Sequence, residues 1–419
     1  MLTAHSMVYF APGTWAGLWR NRHQLMHLFA RHGNKVLFVE GRSHLRNSVG
    51  AWQRGAVGRQ ALAAAPLQRI DDNLYVLRYP LWMPISGQRA LGWMTQQLRA
   101  RLLRQTLQRL EMAAPIVWFS QPSMVDLLDE IPDARLRLYH VVDEYAAYSG
   151  QSLDHSRREA TREAALMRQV DAVIVVSEKL YAAKRQAHPD TYLVPNGVNY
   201  AAYCQALADP ALPIDLAAIP TPRIGYSGLI GDRLDLPMLQ RLALAHPEWS
   251  WVLIGEARLV QQQAAWAALT QLPNVYALGQ KPIEEVPHYL KGLQVGIMPY
   301  VQNRESEHIS PLKLYDYLAA GVAVASMEIP AVADFRPYIH VAQTPEDFAA
   351  AVGAALADNS PARQALRRSV AAQHTWEARA EQLSALIRQQ LQRVALPKSH
   401  TVTATPPRGQ AHTVESSKA

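Results

Sequence analysis

Residues Ser310 to Ser326 read SPLKLYDYLAAGVAVAS, and this stretch decides the fold. A proline at a helix start, a lysine in the first turn, Asp316 three positions later and an Ala-Ala-Gly ending describe a short helix. The apolar run Val322–Ser326 follows at once and reads as a buried strand. A helix start carrying Lys313, at the mouth of a strand-alternating unit, is a place where backbone amides and a cation meet a phosphorylated ligand.

Working outward, the same alternation recurs on both sides. Arg223–Ser227, Trp251–Ile254, Val275–Ala277 and Val295–Met298 are short apolar runs, each followed by a turn and a helical segment. Earlier in the chain Met7–Phe10, Lys35–Val39, Ile116–Phe119, Leu136–Val142 and Ala172–Val176 repeat the pattern. Strands that alternate with helices imply parallel sheets covered on both faces, here two Rossmann-like units. The chain of 419 residues, 49% hydrophobic, is long enough for two such cores. The sequence divides into an N-terminal unit at 1–205, a breaker-rich linker at 206–222 (within DPALPIDLAAIPTP) and a second unit at 223–375. An amphipathic helix at 376–396 is expected to pack back toward the first unit, and the polar tail 397–419 has too little to bury and is expected to be disordered.

Composition excludes several classes. One cysteine, Cys204, precludes an internal disulfide framework and suits a cytoplasmic location. There is no apolar run of membrane-spanning length and no charged leader before an apolar segment. The formal charge of +7 favours anionic partners, but no nucleic-acid-binding module accompanies it. Neither glycine-rich turn has the GxGxxG spacing of a dinucleotide oxidoreductase.

In YSGLIGDRLD, at the end of the second unit's first strand, Gly228 lets the backbone approach a phosphate and Arg233 supplies charge. The alternative is an ordinary strand-to-helix turn with an exposed arginine. Ser310, Leu312, Lys313 and Asp316 complete the expected ligand wall, Asp316 being placed to accept ribose hydroxyls; a solvated Lys–Asp helix pair is the plainer reading.

The succession YSGLIGD, LIGE, LPNVYALGQKPIEEVPHYL, VGIMPY and SPLKLYDYLAAG resembles the donor domain of GT-B glycosyltransferases of group 1 type. VPNGVN at 194–199 and FAPGTWAGLWRNRHQLMHLFARHGNKVLFVE at 10–40 extend the likeness to the first unit. The resemblance implies a transferase that moves a sugar from a nucleotide diphosphate sugar to a glycan or lipid-diphosphate-linked acceptor, in bacterial surface or exopolysaccharide assembly. It implies no cofactor and no metal. Donor contacts are expected at Gly228, Arg233, Lys281, Tyr300, His308, Ser310, Leu312, Lys313 and Asp316, and acceptor contacts at Gly13, Thr14 and Trp15, with Trp15 stacking on a sugar. Many retaining members carry two glutamates separated by seven residues; here those positions hold His308 and Asp316.

RLYHVVDEYAAYSG, at 137–150, resembles the segment bearing the catalytic aspartate in the inverting glucuronosyltransferase of xanthan-type exopolysaccharide assembly. Asp143 is therefore the candidate base. A retaining course, with Asp143 orienting the acceptor or capping a segment, is the alternative; His140 and Glu144 are weaker candidates. A catalytically silent nucleotide-sugar-binding subunit and a nucleotide-sugar epimerase on the same fold are the rival functions. Between Leu81 and Met112, Trp82, Trp93 and Met94 interleave with Arg89, Arg99, Arg101, Arg104 and Arg109, which suits either peripheral contact with an anionic membrane or a plain amphipathic helix.

Overall fold

The computed structural model describes residues 1–16, 19–41, 65–86, 88–145 and 152–395. The expected tail at 397–419 lies outside the described residues.

The first unit is an eight-stranded sheet. Its strands are β1 (Ser6–Phe10), β2 (Lys35–Val39), β3 (Leu67–Asp71), β4 (Leu74–Leu77), β5 (Ile116–Phe119), β6 (Leu136–Val141), β7 (Ala172–Val175) and β8 (Thr191–Leu193). They lie in the order β3-β4-β2-β1-β5-β6-β7-β8, parallel throughout except for the β3–β4 edge pair. β1, β2 and β5–β7 are apolar on both faces because helices cover both. Helices Asn21–Arg31 and Trp376–Ala395 pack on one face, and Arg89–Arg109 and Leu153–Met167 contribute to the other.

The second unit holds β9 (Arg223–Ser227), β11 (Ser250–Ile254), β13 (Val275–Gly279), β14 (Val295–Met298), β15 (Ala323–Met327) and β16 (His340–Ala342), all parallel, in the order β13-β11-β9-β14-β15-β16. A two-stranded ribbon, β10 (Ile230–Gly231) with β12 (Ala257–Arg258), lies beside the mouth of β9. In both units the order reverses beside the first strand, β1 or β9, which opens a crevice at the carboxyl ends of the strands.

The chain leaves the first core earlier than composition predicts. Val194 belongs to the first core, whereas Val198, Tyr203, Ala206, Leu216 and Ile219 belong to the second. The segment read as a linker at 206–222 carries a short helix, Ile214–Ala217, and packs as part of the second unit. Proline and alanine marked an irregular segment, but the apolar side chains between them are buried. The crossing itself is at Val198, whose backbone bridges Thr375. A Cβ on Gly197 would lie 2.9 Å from the Thr375 carbonyl carbon, so this position has little room for a side chain. From there the C-terminal helix returns to the first unit and buries Trp376, Ala380, Leu383 and Ile387 in its core.

Candidate functional site

The helix Leu312–Ala319 follows β14 after an irregular loop at 299–311, and its apolar positions, Leu314, Tyr315, Leu318 and Ala319, face the second core. It stops in a Schellman motif: Val322 N–H donates to Tyr317 O, Gly321 N–H to Leu318 O, and Gly321 has φ +76°. Tyr317 is fully buried; its hydroxyl accepts from Ser227 N–H at 3.0 Å, and its ring occupies the space left by Gly296, where a Cβ would come within 2.5 Å. The helix start is thereby fixed against the loop that follows β9.

That loop is shaped by two glycines. Gly228 adopts φ +134°, and a Cβ on Gly255 would sit 1.9 Å from the Gly228 carbonyl oxygen. The two loops therefore touch backbone to backbone, and Lys313 packs across Gly228, its Nζ 3.5 Å from where a Cβ would stand. The Lys313 ammonium donates to the Tyr300 hydroxyl at 2.7 Å and lies 4.8 Å from the Tyr226 ring centroid. Burial works against its charge, but Tyr226, Tyr300 and Tyr317 around it hold its pKa above the ordinary lysine value. Asp316 hydrogen-bonds the buried Tyr203 hydroxyl; burial pushes its carboxyl up to about 6, against the opposing pull of Tyr203 and Lys313.

These groups line a cavity of about 1160 Å³ between the two units. Gly228, Arg233, Lys281, Tyr300, Ser310, Leu312, Lys313 and Asp316 all reach it, as do Asp143 and Asn196 from the first unit. His308 does not: it is buried, its Nδ1 faces the Arg304 carbonyl at 2.8 Å, and its own carbonyl accepts from Ser177 across the domain junction. The spacing that places His308 eight residues before Asp316 runs through an irregular loop, so it carries no helical facing rule. Lys281 stands at the rim with its ammonium 2.6 Å from Asp215. Ser310 meets the first unit through its carbonyl, which accepts from Asn196 Nδ2 at 2.8 Å.

Asp143 lies just beyond β6, in the crevice. Arg233 spans the gap to it, Nη2 to Asp143 Oδ1 at 3.4 Å, while its Nε donates to Glu305 Oε1 at 2.5 Å. Glu305 is a carboxylate in the cleft that sequence reading missed, because no regular element fixes its register; its proximity to the VGIMPY strand end was the only signal. The neighbouring candidates are structural. His140 is buried against Trp118, and burial lowers its pKa to about 4. Glu144 is held with Glu163 by the Lys184 ammonium, at 2.9 and 2.8 Å.

The acceptor-side expectation requires correction. Trp15 is only 8% exposed, stacks edge-on against Phe38 at 5.0 Å and donates its backbone N–H to buried Glu40. It belongs to the first core and does not line the cleft. Thr14 supports His23 through its carbonyl, at 3.2 Å from Nε2, and Gly13 closes a turn by accepting from Gly41 N–H. Among the described residues of this loop and the helix start that follows it, Ala16, Trp19, Arg20, Asn21 and Arg22 reach the cavity. Both tryptophans fit an amphipathic loop, and only the packing of Phe38 decides which one turns inward.

Comparison with known proteins accords with this geometry. Residues 234–358 match the family described as "Glycosyl transferases group 1". A curated relative is TuaH of Bacillus subtilis (strain 168), a glycosyltransferase named for teichuronic acid biosynthesis, 29% identical over 278 residues, covering 62% of this chain and 68% of the relative. Among solved structures, sucrose-phosphate synthase (tll1590) from Thermosynechococcus elongatus superposes with a TM-score of 0.70 at 17% identity, over 93% of this chain and all of that one. Anabaena Alr3699/HepE, solved in complex with UDP and glucose, gives 0.60 at 13% identity over 91% of this chain and 99% of its own.

Proposed function

We propose that this chain, a glycosyltransferase of the GT-B fold, transfers a sugar from a nucleoside diphosphate sugar to a hydroxyl of a glycan or lipid-linked glycan with inversion at the anomeric carbon. The observation that carries the reading is the convergence of the Leu312–Ala319 helix start, Lys313 and the Gly228 loop on one wall of a cavity whose other wall carries Asp143. The UDP complex of HepE supports a nucleotide in the corresponding fold, and the teichuronic acid role of TuaH supports a glycan acceptor in polysaccharide assembly.

In this reading 1–197 form the acceptor-side domain and 198–375 the donor domain. The diphosphate rests on the helix start and Lys313, and the ribose hydroxyls face Asp316. Asp143 takes the proton of the acceptor hydroxyl as that oxygen forms a bond to the anomeric carbon. The bond from that carbon to the diphosphate oxygen breaks, and its electron pair leaves with the nucleoside diphosphate. Lys313 and the helix amides meet the charge that appears on the leaving group.

A second surface supports an acceptor held at a membrane. No helix of the described residues is long and apolar enough to cross a membrane. Helix Arg89–Arg109 buries Leu103 and Leu107 and turns Arg99 inward, where its guanidinium donates to Met83 O and Pro84 O. Its outer face leaves Trp93 67% exposed beside Met94, Arg89, Arg101 and Arg104, with Trp82 nearby, a combination suited to an anionic membrane face.

The test is to incubate the protein with a panel of nucleotide sugars and lipid-linked acceptors. The expected result is acceptor-dependent release of nucleoside diphosphate and one new linkage of inverted configuration. Donor breakdown independent of any acceptor would sink transfer, and a retained configuration would remove Asp143 as the base.

A further inference from the structure

Trp19, Arg20 and Arg22 line the cavity from the first unit, and the two arginines concentrate positive charge there. Arg22 occupies the second position of helix Asn21–Arg31, an eleven-residue helix with no acidic residue in its first turn. Its Nε is buried without a hydrogen-bond partner, and burial lowers its pKa below the ordinary arginine value. Other inward arginines of the described residues are anchored by hydrogen bonds to protein oxygens, even where, as in Arg99, the Nε itself makes none. Arg99 donates to two carbonyls, Arg223 to three, and Arg367 to the Asp358 carboxylate and the Gly321 carbonyl. Among the described residues neither Arg22 nor Arg20 has a carboxylate within ion-pair distance.

Of the acidic groups that line the same cavity, most are engaged elsewhere, Glu284 lying on the Lys281 side of it. Asp143 and Glu305 face Arg233, Glu256 pairs with Arg258, and the Asp232 carboxylate accepts from the amides of Val260, Gln261 and Gln262. A guanidinium taken part-way out of water with no counter-charge is costly unless an anion joins it. The start of this helix is also tied to the donor side. Asn21 Nδ2 donates to Asn196 Oδ1 at 3.3 Å, and Asn196 Nδ2 donates to the Ser310 carbonyl at 2.8 Å. An anion held at Arg22 is thus registered against the donor helix through two hydrogen bonds.

We infer that Arg22, with Arg20 beside it, forms a subsite for a phosphate or diphosphate group carried by the acceptor, Trp19 flanking it. The inference rests on the transferase reading above and deepens it by naming an anionic acceptor. Arg22's planar fork suits a bidentate phosphate contact that a lysine cannot reproduce.

The test uses the full chain saturated with whichever of UDP, GDP and ADP binds most tightly, so that the donor diphosphate site is filled. Farnesyl diphosphate, as the lipid-borne source, and glucose 6-phosphate, as the soluble one, are then titrated by calorimetry. The expected result is that one of them binds, and which one names the source. Arg22→Gln should weaken that probe about tenfold or more, Arg22→Lys should recover only part of the loss, and nucleotide affinity should stay within about twofold in both, which also reports a correctly folded cleft. Binding of neither probe to the nucleotide-saturated protein, or equal binding to Arg22→Gln, overturns the subsite. If none of the three nucleotides binds, it is the nucleotide-sugar reading that fails.

Discussion

Lys313 and Lys281 make a paired test, because the sequence names both as donor contacts and the structure gives them different electrostatic surroundings. The Lys313 ammonium meets a neutral tyrosine hydroxyl at 2.7 Å and two ring faces, with no carboxylate in its contacts. An incoming diphosphate therefore gains a charge-assisted hydrogen bond without breaking an ion pair. Such a bond is worth about 1.5–3 kcal/mol, so Lys313→Ala should weaken nucleoside diphosphate binding by about 10- to 150-fold. Lys281 is 2.6 Å from Asp215, its pKa raised chiefly by that hydrogen bond, and its charge is largely spent locally. Lys281→Ala should change nucleotide affinity by less than about threefold, the range of an exposed pair. Calorimetry with the nucleoside diphosphate and monophosphate reads both, and the Lys313 loss should be larger for the diphosphate. Lys313→Ala should leave the melting temperature near its starting value, since it removes a half-buried cation together with one hydrogen bond. Diphosphate affinity within twofold of the parent, or an equal loss in Lys281→Ala, refutes the placement of the diphosphate at this helix start.

The other expectations concern the base, the Asp316 carboxylate and the outer helix. Asp143→Asn should lower turnover by about 100-fold or more while nucleotide affinity stays within twofold; near-normal turnover leaves Asp143 an orienting residue. Asp316 has its folded pKa raised to about 6 from 3.8, so it favours the folded state most below pH 4 and loses that contribution as pH rises through 6. Asp316→Asn should consequently raise the melting temperature at pH 8, by an amount equivalent to at most ~3 kcal/mol, and the gain should vanish toward pH 4; a gain that is flat with pH removes the titration argument. Co-sedimentation with phosphatidylglycerol vesicles should fall by about fivefold for each of Arg101→Glu and Arg104→Glu, with little binding to phosphatidylcholine at any salt concentration. Equal binding to both vesicle types refutes an anionic docking face.

The fold was legible where the strands are buried on both faces. Met7–Phe10, Lys35–Val39, Ile116–Phe119 and Arg223–Ser227 are short apolar runs between turns, and each is a strand within a residue or so of its expected ends. Leu74–Leu77, a short buried strand that follows the exposed edge, escaped, as did strands of another kind. Leu67–Asp71 is an edge strand whose residues are mostly exposed, so LQRID carries no apolar period, and Thr191–Leu193 and His340–Ala342 are three residues each. The boundary between the units was misplaced for a related reason. Breakers at 209–222 are visible in the sequence, whereas the place where the chain crosses, Val198 against Thr375, is a contact between residues 177 positions apart.

The same distinction separates the two sides of the site. The wall proposed for the donor is built inside single strand–turn–helix units, so Gly228 and Lys313 are set by local chemistry: a positive-φ glycine after β9 and a cation in the first turn of a helix that begins after Pro311. Such features survive reading without coordinates, and both residues line the cavity. The opposite wall has no such local origin. Whether Trp15 or Trp19 faces the cleft depends on Phe38 filling the space beneath Trp15. The company of Asp143 depends on Arg233, ninety residues away, and that of Arg233 on Glu305. Arg22 gave no motif at all; its distinction is a missing partner, and a missing partner exists only once every neighbour has been placed. The surroundings of Arg22 are therefore set by contacts between segments distant in the chain, which is why the proposed anion subsite leaves no mark in the sequence.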